Sequence, residues 1–397
     1  MRRISDVEVE GKKLLVRVDL NSPIENGMIV PSARIFAHAK TIKKLSERGA
    51  KVIVLAHQGR RGDKDFMSLE QHAKYLHKAV GGDVYFVDDV IGDEAKKAID
   101  RMKNGHILLL DNVRQLTCET ENGNGYGKIV HELSPKVDYF VLDALSVAHR
   151  AHSSVIGFAE TMPCFAGDVL GAEVEAVKSV KESRDVVFIF GGSKVKDSFA
   201  VMERWLENGR ARKILVGGAL SVLLLHATGK NVGNSVEFLE QSGLLEYQDR
   251  AKQLIDKYDG KVRLPLDLGM NIDGKRIECK RDEINKGQVF DIGSKTIERY
   301  IETINNSHAI VMNGPMGVYE NEFFAKGTRE ILNAIAKCDA FSLLGGGHTL
   351  AAIEKFNLDK RYFSYVSLSG KALIEYLCGK ELPGLKALEE NEKKFAK

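Results

Sequence analysis

KVIVLAHQGR, residues 51–60, is an apolar run of strand length that ends in His57, Gln58, Gly59 and Arg60. It follows SARIFAHAKTIKKLSERG (32–49), which reads as a helix closing on a basic last turn and Gly49, the ending a helix C-terminus prefers. A helix feeding a strand that is apolar throughout belongs to a βαβ unit, whose sheet is parallel and covered on both faces. The pattern recurs on either side. LLVRVDLN (14–21) ends in Asp19, Leu20 and Asn21, HILLLDNVR (106–114) in Asp111 and Arg114, and DYFVLDALS (138–146) runs out past Asp143. IGDEAKKAIDRMKNG (91–105) predicts another helix, and DVYFVDDV (83–90) is the one run that ends in acids. Arg34 and Arg150 lie on adjoining segments. Open α/β sheets bind ligands outside the carboxyl ends of their strands, so repeated polar strand ends point to one site for a small anion.

The second half has the same layout with glycine in place of arginine. Its runs DVVFIF, KILV, KVRLPLD, HAIVMN and AFSLL are interleaved with GGSK (191–194), GG (217–218), NGPMG (313–317), GGGHT (345–349) and SGK (369–371). Glycines there let backbone N–H groups come close to phosphates. One half suits a small polyanion and the other a nucleotide. Between them AGDVLGAEVEAVKSVKES (166–183) places Leu170, Val174, Val177 and Lys181 at helical spacing. It is expected to be a helix bridging two domains, although a surface helix inside one domain has the same spacing. RDEINKGQVFDIGSKT (281–296) reads as a loop and short strand leading into a helix. The charged tail ALEENEKKFAK reads as a frayed helix or a strap.

At 397 residues the chain exceeds one ordinary core, which predicts two α/β domains. A formal charge of +3 is too small to argue for nucleic acid or an anionic membrane. The opening MRRISDVEVEGKK lacks the apolar segment of a signal peptide, and no run reaches the ~18 apolar residues of a membrane span. A cytoplasmic protein is expected, with five scattered cysteines as reduced thiols. His149 and His152 in AHRAH are three residues apart, but no HExxH or third ligand accompanies them, so they read as supports of a basic site rather than zinc ligands.

A lone arginine is most often an ion-pair partner. Arg34, His57, Arg60, Arg114 and Arg150 matter as a set at strand ends, where arginine forks bind carboxylate and phosphate bidentately. Asp19 and Asn21 could then orient a hydroxyl. GGSKVKD (191–197) lacks Walker spacing, no GxGxxG is followed by an acid ~20 residues on, and Thr349 is placed to cap a helix LAAIEKF. There is no GxSxG elbow, Cys–His signature or HRD and DFG pair. With no evident covalent nucleophile, in-line transfer between two bound ligands is the economical chemistry, since phosphoryl transfer asks chiefly for positioning and charge stabilisation.

VRVDLNSP (16–23), DALSVAHRAHS (143–153), NGPMGVYE (313–320), GGGHT (345–349) and ELPGL (381–385), in this order, resemble the phosphoglycerate kinase family, with the likeness running from about residue 13 to 385. The resemblance implies an α/β protein with two Rossmann-like domains of parallel sheet, joined by a hinge helix with a ligand cleft between them. Residues 1–165 would bind 3-phosphoglycerate, with the tail 383–397 packed on them. Residues 166–183 would be the hinge helix and 184–382 the nucleotide domain. The implied reaction is reversible, Mg-dependent transfer between 1,3-bisphosphoglycerate and ADP, giving 3-phosphoglycerate and ATP in glycolysis and gluconeogenesis. Asp19, Leu20, Asn21, Arg34, His57, Gln58, Gly59, Arg60, Arg114 and Arg150 match the 3-phosphoglycerate site. Gly191, Gly192, Lys194, Gly217, Gly218, Asn313, Glu320, Gly346, Gly347, His348 and Thr349 match the nucleotide site, and Arg34, Lys194 and Lys371 are the expected catalytic groups. Magnesium would come bound with ATP or ADP, held by phosphate oxygens and waters or by another carboxylate, and the partners of a monomer would be small-molecule substrates.

Three positions depart from the family pattern. His348 stands where many members have a magnesium-binding aspartate, Ser198 where a second lysine is usual, and Ser369-Gly370-Lys371 where three glycines are usual. Lys371 is expected to restore the charge lost at Ser198, at a helix N-terminus that favours anions. Two alternatives stay open at this level: an acyl-phosphate kinase for another small carboxylate, and a non-catalytic nucleotide-binding relative.

Overall fold

The computed structural model describes residues 1–120 and 127–395, so the last two residues of the predicted tail lie outside the described residues. The chain divides into two compact units, Met1–Glu175 with Lys380–Lys397, and Ala176–Gly379. The first contains β1 (Lys13–Arg17), β2 (Ile24–Glu25), β3 (Met28–Ile29), β4 (Lys51–Leu55), β5 (Val84–Val87), β6 (Ile107–Leu110), β7 (Tyr139–Leu142) and β8 (Cys164–Ala166). β2 and β3 form a small antiparallel hairpin; the others form one parallel sheet in the order β5-β6-β4-β1-β7-β8. Leu14, Val16, Val52, Val54, Ile107 and Leu109 share one core with Ile35, Ile42 and Leu45 of helix Ala33–Glu47 and Ala73, Leu76 and Val80 of helix Glu70–Val80. From β1 the chain moves first to β4 on one side and later to β7 on the other. Strand order reverses at β1 and β7, and that is where a ligand crevice opens in such a sheet.

The acids at two strand ends are structural. Asp89, after β5, accepts the N–H groups of Val90 (2.7 Å), Gly92 (2.9 Å) and Ala95 (3.0 Å) at the start of helix Asp93–Asp100. Asp111, after β6, accepts the N–H of Leu69 at 2.7 Å and the Gln115 amide at 2.6 Å.

The second unit contains β9 (Val186–Phe190), β10 (Ala211–Val216), β11 (Val262–Arg263), β12 (Asp267–Ile272), β13 (Lys275–Lys280), β14 (Gln288–Ile292), β15 (Ala309–Asn313), β16 (Phe341–Gly345) and β17 (Tyr365–Val366). Its parallel sheet has the order β11-β10-β9-β15-β16-β17, and β13-β12-β14 form a separate antiparallel sheet. The run KVRLPLD is therefore not one strand. Only Val262 and Arg263 pair in the parallel sheet, and Pro265, which has no N–H for a ladder, precedes the departure into β12 at Asp267. The β12–β13 turn is Asp273-Gly274 with φ of 51° and 78°, the residue pair that a two-residue hairpin demands, so IDGK is a hairpin signal carried by the sequence. The helix Asp168–Glu182 forms as its spacing predicts, and the division between the units falls inside it.

The final helix, Pro383–Lys394, belongs to the first unit. Asn391, buried at 1% exposure, accepts the Cys164 N–H (2.8 Å) and an Arg2 N–H (3.2 Å), and donates to the carbonyls of Ala159 (2.6 Å) and Met162 (2.8 Å). An alanine there would strand three buried backbone groups. Asn391→Ala is expected to cost about 3 kcal/mol, at roughly 1 kcal/mol per stranded group, measured by denaturant unfolding; a loss below about 1 kcal/mol would show the helix is not fastened by this side chain.

Candidate functional site

In the first unit the polar strand ends meet around one buried carboxylate. Asp19 Oδ2 accepts the Ser146 hydroxyl at 2.6 Å and lies 3.3 Å from Arg34 Nε, while Oδ1 accepts the Asn21 N–H at 3.0 Å. Arg34 is the second residue of helix Ala33–Glu47, and its Nη1 donates to the Asn21 carbonyl at 3.3 Å. Asn21 Oδ1 in turn accepts the Gly59 N–H at 2.8 Å. Gly59 has φ of 62° and runs so close to the Asp65 backbone that no side chain fits. Arg114, nearly buried, donates to the Gly59 carbonyl. Arg60 is exposed, and Arg150 is partly buried with its Nε 3.3 Å from His149 Nε2.

Leu20 and Gln58 are fully buried. The Gln58 amide is consumed by Ser22 N (2.9 Å), Ser22 O (3.0 Å), Asp65 O (3.1 Å) and His72 Nε2 (3.0 Å). Its contribution is to hold the loops after β1 and β4 together rather than to offer a free donor.

The charges follow from this packing. Burial would raise Asp19, but Arg34, the Ser146 hydroxyl and the Asn21 N–H hold it well below the usual carboxylate range. His57 is not the cation its place in the basic set suggested. Its Nδ1 lies 3.2 Å from Nη2 of Arg17, and a guanidinium has only donors, so Nδ1 accepts and the ring proton sits on Nε2. Burial, then the positive charges of Arg17, Arg150 and Arg34, bring His57 down to about 3 against the pull of Asp19.

Arg17 is itself 1% exposed. Its Nε donates to the Ser154 hydroxyl at 2.8 Å, and Ser154 donates to Glu119 through its hydroxyl (2.7 Å) and N–H (2.8 Å). Glu119 also lies 3.5 Å from His152 Nδ1. Arg17, Glu119, Ser146 and Ser154 were missed in the sequence. The available signal was an arginine in the middle of the apolar run LLVRVDL, where a charge is costly unless paired.

In the second unit strand order reverses between β9 and β15, and the loops leaving them lock together. Gly191 N donates to Asn313 O (3.1 Å), Gly192 N to Pro315 O (2.8 Å), Gly217 N to Phe190 O (2.8 Å) and Gly218 N to Met316 O (2.7 Å). A Cβ on Gly191 would overlap the Pro315 carbonyl, and one on Gly217 would meet Met316. Gly191 and Gly217 spend their N–H groups on the last residues of the neighbouring strands, and Gly192 and Gly218 spend theirs on the loop after β15.

Donors without intrahelical acceptors lie instead at the start of helix Gly347–Lys355, reached through Gly346 at φ 92°. Thr349 does not cap that helix as expected. The helix begins two residues earlier, and the buried Thr349 hydroxyl accepts the Gly314 N–H at 2.9 Å, tying the two loops together. Asn313 Oδ1 occupies the space a side chain on Gly346 would need. His348 Nδ1 and Glu320 Oε1 are 3.8 Å apart, both exposed, and Lys355 donates to the Glu320 carbonyl at 2.7 Å.

Asn313, Glu320, Gly346, Gly347, His348 and Thr349 thus share one end of the sheet. Lys194 is exposed at the N-cap of helix Val195–Glu207, and the buried Ser198 lies one turn on, its hydroxyl 3.4 Å from the Lys194 carbonyl. Lys371 is exposed at the first position of helix Lys371–Leu377, 4.0 Å from Glu375. Among the described residues no three His, Cys, Asp or Glu side chains converge on a metal position.

The folded forms of His57 (about 3) and His72 (about 4, through burial) take up protons later than the unfolded chain, whose histidines titrate near 6.5. Their contribution to stability is complete above pH 6.5 and is lost as pH falls through those lower values. The thermal midpoint is expected to drop between pH 6.5 and 4, and a His57→Gln, His72→Gln double variant to drop less; parallel curves would refute neutral histidines.

The phosphoglycerate kinase family model matches residues 4–380. The phosphoglycerate kinase of Methanosarcina mazei is 40% identical, with 99% of this chain and 96% of that one covered. The crystal structure of phosphoglycerate kinase from Pyrococcus horikoshii superposes with a TM-score of 0.93 at 36% identity, covering 100% of both chains. That from Coxiella burnetii gives 0.82 at 33%, covering 98% of both. With the family match, the identity and the fold agreeing over nearly the whole length, the chain belongs to the phosphoglycerate kinase family, and it is a kinase.

Proposed function

We propose that the protein catalyses reversible phosphoryl transfer between 1,3-bisphosphoglycerate and ADP, yielding 3-phosphoglycerate and ATP. The observation that carries this reading is the buried Asp19 with Arg34 fastened to it at the reversal point of the first sheet, and Arg60, Arg114 and Arg150 about the same loops. Asp19 and Asn21 would orient the substrate hydroxyl. Arg60, Arg114 and Arg150 would take the distal phosphate, and the His57 Nε2–H would add a neutral donor. Leu20, Gln58 and Gly59 would act by holding those loops in place.

In the direction of ATP use, a carboxylate oxygen of 3-phosphoglycerate attacks the γ-phosphorus and the bond to the ADP oxygen breaks. Both nucleophile and leaving group are anions, so no general base is required. The demand is for positive charge around the moving phosphoryl group, which Arg34 would supply to the substrate of the first unit and Lys194 and the N-terminus of helix Gly347–Lys355 to the nucleotide of the second. Asn313, Gly346, Gly347, His348 and Thr349 would cradle nucleotide phosphates, Glu320 would hold the ribose, and Gly191, Gly192, Gly217 and Gly218 would shape the loops. Magnesium would be held by nucleotide phosphates and water, with His348 in the usual aspartate position. Lys371 would supply the charge that Ser198 cannot. The helix Asp168–Glu182, which carries the chain from one unit to the other, would be the hinge of a monomer working in the cytoplasm.

The test is a coupled assay of 3-phosphoglycerate-dependent ATP consumption with and without magnesium. Turnover should require the metal. Arg34→Ala should lower kcat by roughly 10²–10³, the loss typical of one donor to a developing charge, and Lys371→Ala by about tenfold. Unchanged kcat in Arg34→Ala would overturn the mechanism. Unchanged turnover in Lys371→Ala beside an inactive Lys194→Ala would remove Lys371 from it.

A further inference from the structure

Asp291, in β14, is 1% exposed, and its Oδ1 has no hydrogen-bond partner. Oδ2 accepts from Arg276 Nη1 (2.8 Å) and from the Gly327 N–H (2.8 Å). The same guanidinium donates to the carbonyls of Ile292 (2.9 Å) and Phe323 (3.3 Å), passing over Gly269 of β12, where no side chain would fit. A buried carboxylate with one bare oxygen is costly, and for stability alone an apolar residue would serve as well or better. Burial pushes Asp291 up to about 6, against the pull of the Gly327 N–H and Arg276.

The bare oxygen has a clear neighbourhood. It lies against Gly317 on one side and Gly327 on the other, and a Cβ at either position would collide with it. Gly317 and Gly327 flank the segment that carries Glu320. Beside them Val318 N donates to Phe290 O (2.8 Å), Met316 N donates to the Thr328 hydroxyl (3.0 Å), and Phe324 packs edge-on against Phe290 with centroids 5.0 Å apart. Gly317 and Gly327 are therefore both held against β14, and the clamp closes on the Arg276–Asp291 ion pair, with Arg276 Nη2 also 3.3 Å from Glu278 Oε1.

We propose that the buried Arg276–Asp291 pair is a positioning element that fixes the loop Asn313–Glu320 for nucleotide binding. It touches no substrate. It acts by holding Gly317 and Val318 against β14, so that Glu320 is presented from a rigid loop rather than a mobile one. The antiparallel sheet β12–β14 thereby gains a role in the site. This inference rests on the reading of that loop as a nucleotide contact.

The test compares wild type with Asp291→Asn, Arg276→Gln, Glu320→Gln and Leu254→Val, the last a variant in helix Gln248–Lys257 that lowers stability in the other core of the same unit. Asp291→Asn should raise the KM for ATP about tenfold, the scale of one lost anchoring interaction, with kcat and the KM for 3-phosphoglycerate within about twofold. Hydrogen exchange of the Val318 amide should quicken in parallel, and Leu254→Val should change neither readout. Arg276→Gln, at a site 14% exposed, should show the same split and substitutes if Asp291→Asn does not fold. A folded variant of the pair with ATP KM within twofold of wild type overturns the proposal. If Glu320→Gln still raises the KM, the positioning claim alone falls; if Glu320→Gln is silent too, the nucleotide reading of the loop falls with it.

Discussion

An ionised carboxylate with almost no water around it cannot stand alone, and Asp19 is such a group. Its partners come from three separate pieces of chain: Arg34 from helix Ala33–Glu47, Ser146 from the short helix Leu145–Ala148 after β7 and the N–H of Asn21 from its own turn. Meeting that charge's demands fixes how helix Ala33–Glu47 approaches the end of β1. Asn21 then takes the N–H of Gly59, and Gly59 takes Arg114. The arrangement of the anion-facing arginines follows from one buried charge. Directly beneath, Arg17 repeats the theme with the sign reversed, and its pairing through Ser154 to Glu119 leaves His57 as a neutral donor.

The second unit solves a different problem with backbone. Its strand-end glycines are required because loops from β9, β10 and β15 approach one another too closely for side chains. Close approach uses up their N–H groups, so the anion-attracting character is left to the helix that opens at Gly347. Glycine-rich strand ends in a sequence therefore carry two meanings, loop-against-loop packing and phosphate contact. Only the hydrogen-bond partner of each N–H tells them apart.

Much of the fold was legible. Apolar runs of strand length alternating with amphipathic helices left little choice but parallel sheets, and Asp19 and Asn21 were placed at a ligand site by their strand end, with Arg34 on an adjoining segment. What escaped were features whose cause lies across the sheet. Asp111 after β6 looked like a neighbour of Arg114, and the acids after β5 like an exception among the strand ends, yet Asp89 and Asp111 both serve local N–H groups. The clamp at Asp291 is invisible in sequence because its partners, Gly317, Gly327 and Arg276, are ordinary residues until folding stacks them.

The sequence by itself determined the elements, the class of fold and the two kinds of strand end, because periodicity and residue chemistry act over a few neighbouring positions. Tertiary structure alone decided which charges are compensated, which histidine tautomer is present, which glycine N–H groups remain open, and that residues 267–292 form a separate antiparallel sheet. Those outcomes depend on distances of about 3 Å between residues far apart in the chain, and on burial, which sets the cost of every unpaired charge.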